Sequence, residues 1–326
     1  MRSVVCFGEA LIDFLAAPST GQQAPQQFVR HAGGAPANVA VAVAQLGVPS
    51  VFVGMLGRDM FGDFLLERLK FAGVSTYYVA RTDVAKTALA FVSLNALGER
   101  QFSFYRPPSA DLLFRARHFD DACFNDTAIF HACSNSLTEA EIADTTLEGM
   151  HRAHATGALV SFDMNLRSSL WRKNLDPHAR IWRALREAEL VKLSASELAF
   201  LAEPLGGETA ALSELWRGRT QWLWVTNGGE PLRHFTRSGS GVLPTFQVQT
   251  VNTTAAGDAF VGGMLSWLLR ENVVQRRLEK FLADEAHMRS ALRFAAACGA
   301  LAVTRHGAFE SMPSRAEVEQ FLREHT

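Results

Sequence analysis

The sequence predicts an α/β protein with a mostly parallel central sheet and helices on both faces. Two observations predict it. Short β-rich runs alternate with longer stretches of helical spacing, and several runs end in Gly, Asp, Ser or Asn, residue types expected where a chain leaves a sheet edge toward a ligand crevice. The runs are VVCFG (4–8), VFVGML (51–56), AIFHAC (128–133), ALVSFD (158–163), ELVKLS (189–194) and WLWVTN (222–227). Between them, residues 61–72, 139–154 and 178–188 keep apolar side chains at helical spacing with charges on the outer face.

The other segments need separate reasons. Residues 14–30 are Pro- and Gln-rich with little periodicity, while residues 87–106 read as two strands around an Asn-Ala-Leu-Gly-Glu turn. Together they form either a small β-layer outside the main sheet or a loop and an ordinary edge hairpin. In PANVAVAVAQLG (36–47), Val39, Val41 and Val43 alternate with alanines, yet both faces are apolar and periodicity decides little. Its ends decide for a helix, with Pro36 in the first turn and Gly47 past the stop. Phe246, Val248 and Val251 read as a strand-like lead-in to an apolar helix, and residues 288–303 as one long Ala-rich buried helix. No repeat or linker divides the chain, so residues 1–326 are expected to form a single domain with excursions at about 14–30 and 87–106.

Composition narrows the class of function. With 48% hydrophobic and 20% charged residues among 326, the chain is that of an ordinary globular protein with a sizeable core. Lys and Arg number 32 against 33 Asp and Glu, so no net charge recommends nucleic acid or an anionic membrane as partner, and small molecules are expected. Cys6, Cys123, Cys133 and Cys298 include no CxxC pair, a poor pattern for zinc or disulfides that fits a reducing compartment. The opening MRSVVCFGEALIDF meets Gly and Glu after a short apolar run, unlike a secretory signal. No run reaches the roughly 18 apolar residues of a membrane span, and a cytoplasmic protein is expected.

VNTTAAGDAFVGGMLSWLL (251–269) carries the strongest chemical signal. Small Ala255, Ala256 and Gly257 let an anion approach the backbone N–H groups at the start of the following helix, where the macrodipole favours negative charge. Asp258 behind them is either the N-cap of that helix or a general base for an attacking hydroxyl. Gly262 and Gly263 each cost a helix interior about 1 kcal/mol relative to Ala, which indicates unusually close packing there. In GGAPAN (33–38), Gly33 and Gly34 permit a tight turn and Asn38 offers both a donor and an acceptor; a plain helix-capping turn and a polyol site both fit.

NTTAAGDAFVGG (252–263) resembles the second signature of the ribokinase-like, or PfkB, carbohydrate kinases, DTTGAGD followed by an apolar helix. Asn252 replaces the usual Asp and Ala255 the usual Gly. GEALIDF (8–14), GGAPAN and GMLGRDMFGDFLLERLKFAGV (54–74) match the family's N-terminal signature in order and spacing. GERQFSFYRPPSAD (98–111), SFDMNLRSSLW (161–171), VKLSASELAFL (191–201), VTNGG (225–229) and RHGAFESMPS (305–314) extend the resemblance over nearly the whole chain. GGAPANVA, SFDMNLR and FSFYR look most like the fructokinase branch.

The resemblance implies a ribokinase-like α/β fold whose two excursions form a small β-sheet lid, and ATP-dependent, Mg2+-assisted transfer to a sugar hydroxyl. In the fructokinase branch the product is fructose 6-phosphate. Asp13, Gly33, Gly34 and Asn38 would hold the sugar hydroxyls, with Arg106 helping from the lid. Asp258 would be the general base, capping its helix as well, and the N–H groups of Ala255, Ala256 and Gly257 the anion hole. Thr226, Gly228 and Gly229 correspond to the strand end that meets ATP, although Asn227 and Pro231 depart from the usual TLG…G form; Lys192, Asn165 and Arg167 fall on the phosphate side. Glu197 matches the acidic residue of an Asn-x-x-Glu motif that helps hold Mg2+ through water, with Ser194 at the Asn position. Family members that bind potassium use positions matching Asn252, Thr254, Gly307 and Ser311; Asn252 lacks the usual charge, so K+ activation is expected to be weak or absent. The apolar faces of residues 87–106 suit a homodimer through the lid.

Two alternatives stand beside fructose phosphorylation. One is a family kinase for 2-keto-3-deoxygluconate, ribose or a nucleoside. The other is a non-catalytic sugar-binding or scaffold protein, which Asn252 and Ala255 motivate and the retained Asp258, Gly257, Glu197 and Asn38 oppose.

Overall fold

Apolar runs bounded by turn residues become strands here because a sheet covered on both sides buries both sets of alternating side chains. The computed structural model describes residues 2–17, 26–94 and 100–325. Strands β1 (Ser3–Phe7), β2 (Leu11–Ala16) and β3 (Phe28–Gly33) precede helix α1 (Ala35–Gln45), then come β4 (Ser50–Gly57), α2 (Met60–Phe71), β5 (Val79–Thr82), β6 (Leu89–Leu94) and β7 (Arg100–Tyr105). The middle comprises α3 (Ala122–Asn125), β8 (Thr127–Cys133), α4 (Ala140–Ala155), β9 (Leu159–Asp163), α5 (His178–Glu187), β10 (Leu190–Ser194), α6 (Ala195–Ala202) and α7 (Glu208–Trp216). The last part holds β11 (Trp222–Asn227), β12 (Glu230–Thr236), β13 (Ser240–Leu243), α8 (Ala256–Arg270), α9 (Gln275–Leu282), α10 (Glu285–Ala302) and α11 (Arg315–Glu324).

The large sheet has the order β13-β12-β11-β10-β9-β8-β1-β4-β5. Its strands from β11 to β5 are parallel, and β12 and β13 extend one edge antiparallel. All six predicted runs are strands of this sheet. Alternation along β1 divides the core: Val4 and Cys6 join the apolar side chains of α1, α8 and α10, whereas Val5 and Phe7 join those of α4, α5, α6 and α7. Each fully buried aliphatic or Phe side chain contributes about 1.5–3 kcal/mol. The chain winds from β1 to β4 in one direction and resumes at β8 in the other, so a crevice opens beyond the carboxyl ends of β1 and β8.

The two irregular stretches do build a second, four-stranded sheet, ordered β3-β2-β6-β7, in which β2 and β6 are parallel and the other pairs antiparallel. Asp13, Ala90 and Phe104 are in register on one face. On the other, Phe14 stacks on Phe91 at 4.9 Å and meets Phe61 of α2 at 5.8 Å. The turn expected at 95–99 and residues 18–25 of the Pro- and Gln-rich stretch lie outside the described residues.

Helix α1 has the predicted ends, with Pro36 in its first turn and Gly47 at φ 77 beyond it. The close packing inferred from two glycines is found: a Cβ on Gly262 would collide with Ala42 of α1, and one on Gly263 would stand 2.7 Å from Cys298 Sγ of α10. The strand-like lead-in is not a strand, because residues 244–250 adopt no regular structure. Pro244 has no N–H to donate, Thr245 Oγ1 and Gln247 Nε2 donate instead to Gly229 O, and Phe246 packs edge-on against Phe321 at 5.0 Å.

Candidate active site

Ala255 stands at φ 60 and ψ 11, a left-handed turn that swings the chain from Thr254 into α8. The first helical bond runs from the Ala259 N–H to Ala255 O at 2.8 Å. The N–H groups of Ala256, Gly257 and Asp258 precede it, at the positive end of the macrodipole. Ala255 is the N-cap, with no side-chain cap bond, and Asp258 lies in the first turn. Asp258 therefore does not cap the helix as expected. Its Oδ2 accepts from Asn38 Nδ2 at 2.7 Å, across the α1–α8 contact that Gly262 permits.

Two cavities meet at this helix start. One, of about 330 Å³, is lined by Asp13, Gly34, Asn38, Ala255 and Asp258, together with Glu9, Phe104, Asn135, Asn165 and Arg167. The other, of about 380 Å³, is lined by Lys192, Thr226, Gly228, Gly229, Ala256 and Gly257 over an apolar floor of Leu232, Phe260 and Val303. Thr253 borders both. A larger hollow, about 630 Å³, opens beside Ser3 and Ser50 at the opposite ends of β1 and β4 and contains none of the predicted site residues.

Buried charge is concentrated around the first cavity. Burial pushes the Asp258 carboxyl up, against the Asn38 bond and the charges of Lys192 and Arg167. Asp13 is pushed up to about 7 by burial and then by the charge of Asp258. Lys192 Nζ lies 3.1 Å from Asp163 Oδ1. Burial lowers its pKa, but Asp163, Glu197 and Asp258 outweigh that and leave it raised, hence charged. A Cβ on Gly257 would stand 3.0 Å from that ammonium, so glycine lets Lys192 lie beneath the turn.

The remaining predicted residues are distributed more widely. Gly33 makes room for Asp13, since a Cβ there would collide with Asp13 Oδ2, and Gly34 at φ 103 passes within 2.8 Å of Ala10 Cα on the same basis. Arg106 is buried, bonds Asp111 Oδ2 through Nε at 2.7 Å and does not line the cavity. Asn165 and Arg167, both expected on the phosphate side, line the first cavity, Asn165 at φ 35. Glu197 forms a capping box with Ser194, receiving the Ser194 N–H at 2.6 Å, and takes the Leu166 N–H at 2.7 Å on its other oxygen. Asn252 Oδ1 accepts the Thr254 N–H at 2.8 Å, and the Asn252 N–H donates to Val303 O at 3.0 Å, which ties the loop before α8 to the end of α10. Gly307, at φ 92, and Ser311, whose hydroxyl donates to Ala308 O, follow that helix. Glu9, Asn135 and Asp163 were not singled out by sequence, although the first of two acidic residues in GEALIDF and an Asn just past a strand end were available signals.

The sequence profile of the pfkB family carbohydrate kinases matches residues 1–315. Fructokinase-1 of Zea mays is 41% identical over 321 residues, covering 98% of this chain and 97% of the relative. The crystal structure of a fructokinase with bound ATP from Xylella fastidiosa superposes with a TM-score of 0.96 at 54% identity, covering 99% of this chain and 98% of that one. A double-mutant fructokinase from Vibrio cholerae O395, in a fructose, ADP and potassium ion bound form, superposes with a TM-score of 0.86 at 32% identity, covering 99% and 98%. The fold is ribokinase-like, and the chain belongs to the pfkB family of carbohydrate kinases, ATP-dependent enzymes.

Proposed function

We propose that the protein transfers the γ-phosphoryl group of ATP to fructose, giving fructose 6-phosphate and ADP. The observation that carries this reading is Asp258, a buried carboxylate in the first turn of α8 at the junction of two cavities, held by Asn38. Fructose as the acceptor is supported by relatives named fructokinase at 38–41% identity and a fructokinase structure at 54%. The polar cavity suits a polyol. Asp13, Asn38 and Asp258 surround it, and Asn38 Oδ1 and Asn135 Oδ1 are buried without a protein partner, as acceptors for sugar hydroxyls would be.

Asp258 takes the proton of the attacking hydroxyl on Oδ1, since Asn38 occupies Oδ2. The N–H groups of Ala255, Ala256 and Gly257 receive the charge of the transferred group, with the Lys192 ammonium beneath them. Mg2+, when bound, neutralises charge shared by the phosphates. The donor set fits an ion held mainly by phosphates and waters: among the described residues no three His, Cys, Asp or Glu converge as a cage, and both Glu197 oxygens already accept backbone N–H bonds, leaving it a water-mediated role.

The test is steady-state ADP release across a panel of sugars, with Asp258→Asn in parallel. The variant should lose about 10²–10⁴-fold in kcat while still binding fructose. Unchanged turnover would remove Asp258 from the mechanism, and activity confined to a sugar acid would sink fructose. For the cation, Asn252 supplies a neutral oxygen that is already bonded to Thr254 N–H. Potassium activation should therefore be weak and be strengthened in Asn252→Asp; strong dependence in the unaltered protein contradicts this.

The small sheet would act as a lid over the sugar. Its exposed Phe28, Val29 and Tyr105 favour a homodimer through that sheet, which sedimentation would check. Four buried, unpaired cysteines favour a cytoplasmic location.

A further inference from the structure

A buried polar chain leads from Asp111 to the wall of the first cavity, which Glu9 and Asn135 both line. Asp111 accepts from Ser109 Oγ at 2.6 Å and from Arg106 Nε at 2.7 Å. Glu9 is 1% exposed, and burial pushes its carboxyl up, against the charge of Arg106 and the bond from Asn135. Glu9 Oε1 receives Asn135 Nδ2–H at 2.9 Å and the Ala35 N–H at 3.4 Å. Asn135 lines the cavity, and its buried Oδ1 has no protein partner.

The Glu9 oxygens accept from Asn135 Nδ2, the Ala35 N–H and Cys133 Sγ, and an amide that gives its NH2 to such an oxygen keeps its carbonyl on the other side. We propose that Glu9 is a positioning residue for the sugar, fixing the Asn135 amide with Oδ1 toward the cavity so that this position takes a donating hydroxyl. The proposal rests on the reading of this cavity as the fructose site and adds how the site discriminates. Asp258 orients Asn38 in the same way, leaving the Asn38 Oδ1 as a second acceptor. Asp13 lines the same cavity and adds oxygens to this wall, while the Arg167 guanidinium lines it as well. At their own positions the two amide oxygens select donating hydroxyls and turn away a group that only accepts, such as an organic fluorine.

The first arm of the test uses the unaltered protein with fructose and with its deoxy and deoxyfluoro analogues at carbons 1, 3 and 4. At one carbon or more, both substitutions should lower kcat/KM by about 5- to 100-fold, the fluorine restoring nothing. Restoration by fluorine at all three carbons, as protein donors would produce, overturns the proposal. The second arm compares Glu9→Gln and Asn135→Leu. Glu9→Gln lets the amide turn, so the fructose KM should rise about 10-fold with kcat within about twofold. In both variants the deoxy penalty at the same carbon should shrink several-fold. If Asn135→Leu removes that penalty and Glu9→Gln leaves it whole, Glu9 does not position the amide. Should Glu9→Gln fail to fold, the fluorine series and Asn135→Leu still decide. Turnover of fructose with penalties unaltered in both variants overturns this proposal alone, whereas no turnover of fructose by the unaltered protein overturns the fructose reading and this proposal with it.

Discussion

Asp13, half-buried, and Asp258, buried, face one cavity, and the charge of Asp258 makes Asp13 harder to ionise. Asp13 ionises near 3.8 in an unperturbed chain and near 7 here, so between those values the folded protein holds the extra proton and stability falls as pH rises through that window. Asp13→Asn removes this burden. It should stabilise the fold by about 2–4 kcal/mol at pH 8 and by little at pH 4, while weakening fructose binding. Urea unfolding at the two pH values checks it, and equal stability at pH 8 would contradict it. The trade is that of a site whose charge is kept for binding at the expense of the fold. Ala255 is a second such position: its left-handed φ of 60 costs a residue bearing a Cβ about 1–2 kcal/mol, which a glycine would not incur. Asp13, Asn38 and Asp258 were legible because they fall in motifs that resemble the family signatures; by residue type alone each also fits a turn or cap. Glu9 and Asn135 were not, since what joins them is the crevice between β1 and β8, a pairing that a sequence separation of 126 conceals.

At the scale of elements, the geometry of the site depends on how closely α1, α8 and α10 approach. Gly262 brings α8 against Ala42 of α1, the helix that carries Asn38 to Asp258. Gly262→Ala gains about 1 kcal/mol of helix propensity. A Cβ colliding with another helix costs about 1–3 kcal/mol, and the obstructing Ala42 methyl cannot rotate away. The variant should be less stable by about 1 kcal/mol and slower in kcat, because the Asn38–Asp258 bond must lengthen. A more stable variant with full turnover would mean that the contact is looser than this. Glycines in an apolar helix disclose such packing in sequence, as end residues disclosed α1 and the alternation of β-rich runs with helical stretches disclosed the six parallel strands. Periodicity failed at residues 244–250, where alternating apolar side chains are present but Pro244 and the bonds from Thr245 and Gln247 to Gly229 O replace a ladder. The side chains alternate there without a neighbouring strand to pair with.

Across the whole molecule, the two cavities draw on different sheets. Every residue lining the second belongs to the segment from Lys192 to Val303, on the carboxyl side of β10 and β11 and around α8 and α10. The first takes Leu11, Asp13 and Phe104 from the small sheet and Asn135, Asn165 and Asp258 from the main body. A sugar bound there would touch both sheets, whereas a nucleotide would touch one. Phe104 stands on the Asp13 face of the small sheet, in register with Ala90, and carries no group that chemistry requires. Phe104→Ala should therefore raise the fructose KM by about 10-fold through lost apolar contact. The ATP KM should stay within about twofold, because no described residue of that sheet lines the second cavity. Measuring the two constants separately, each at saturation of the other substrate, distinguishes a sheet that holds only the sugar from one that closes over both. Equal weakening of sugar and ATP would assign the small sheet to the whole crevice, and the separation of the two cavities would then describe the open form alone.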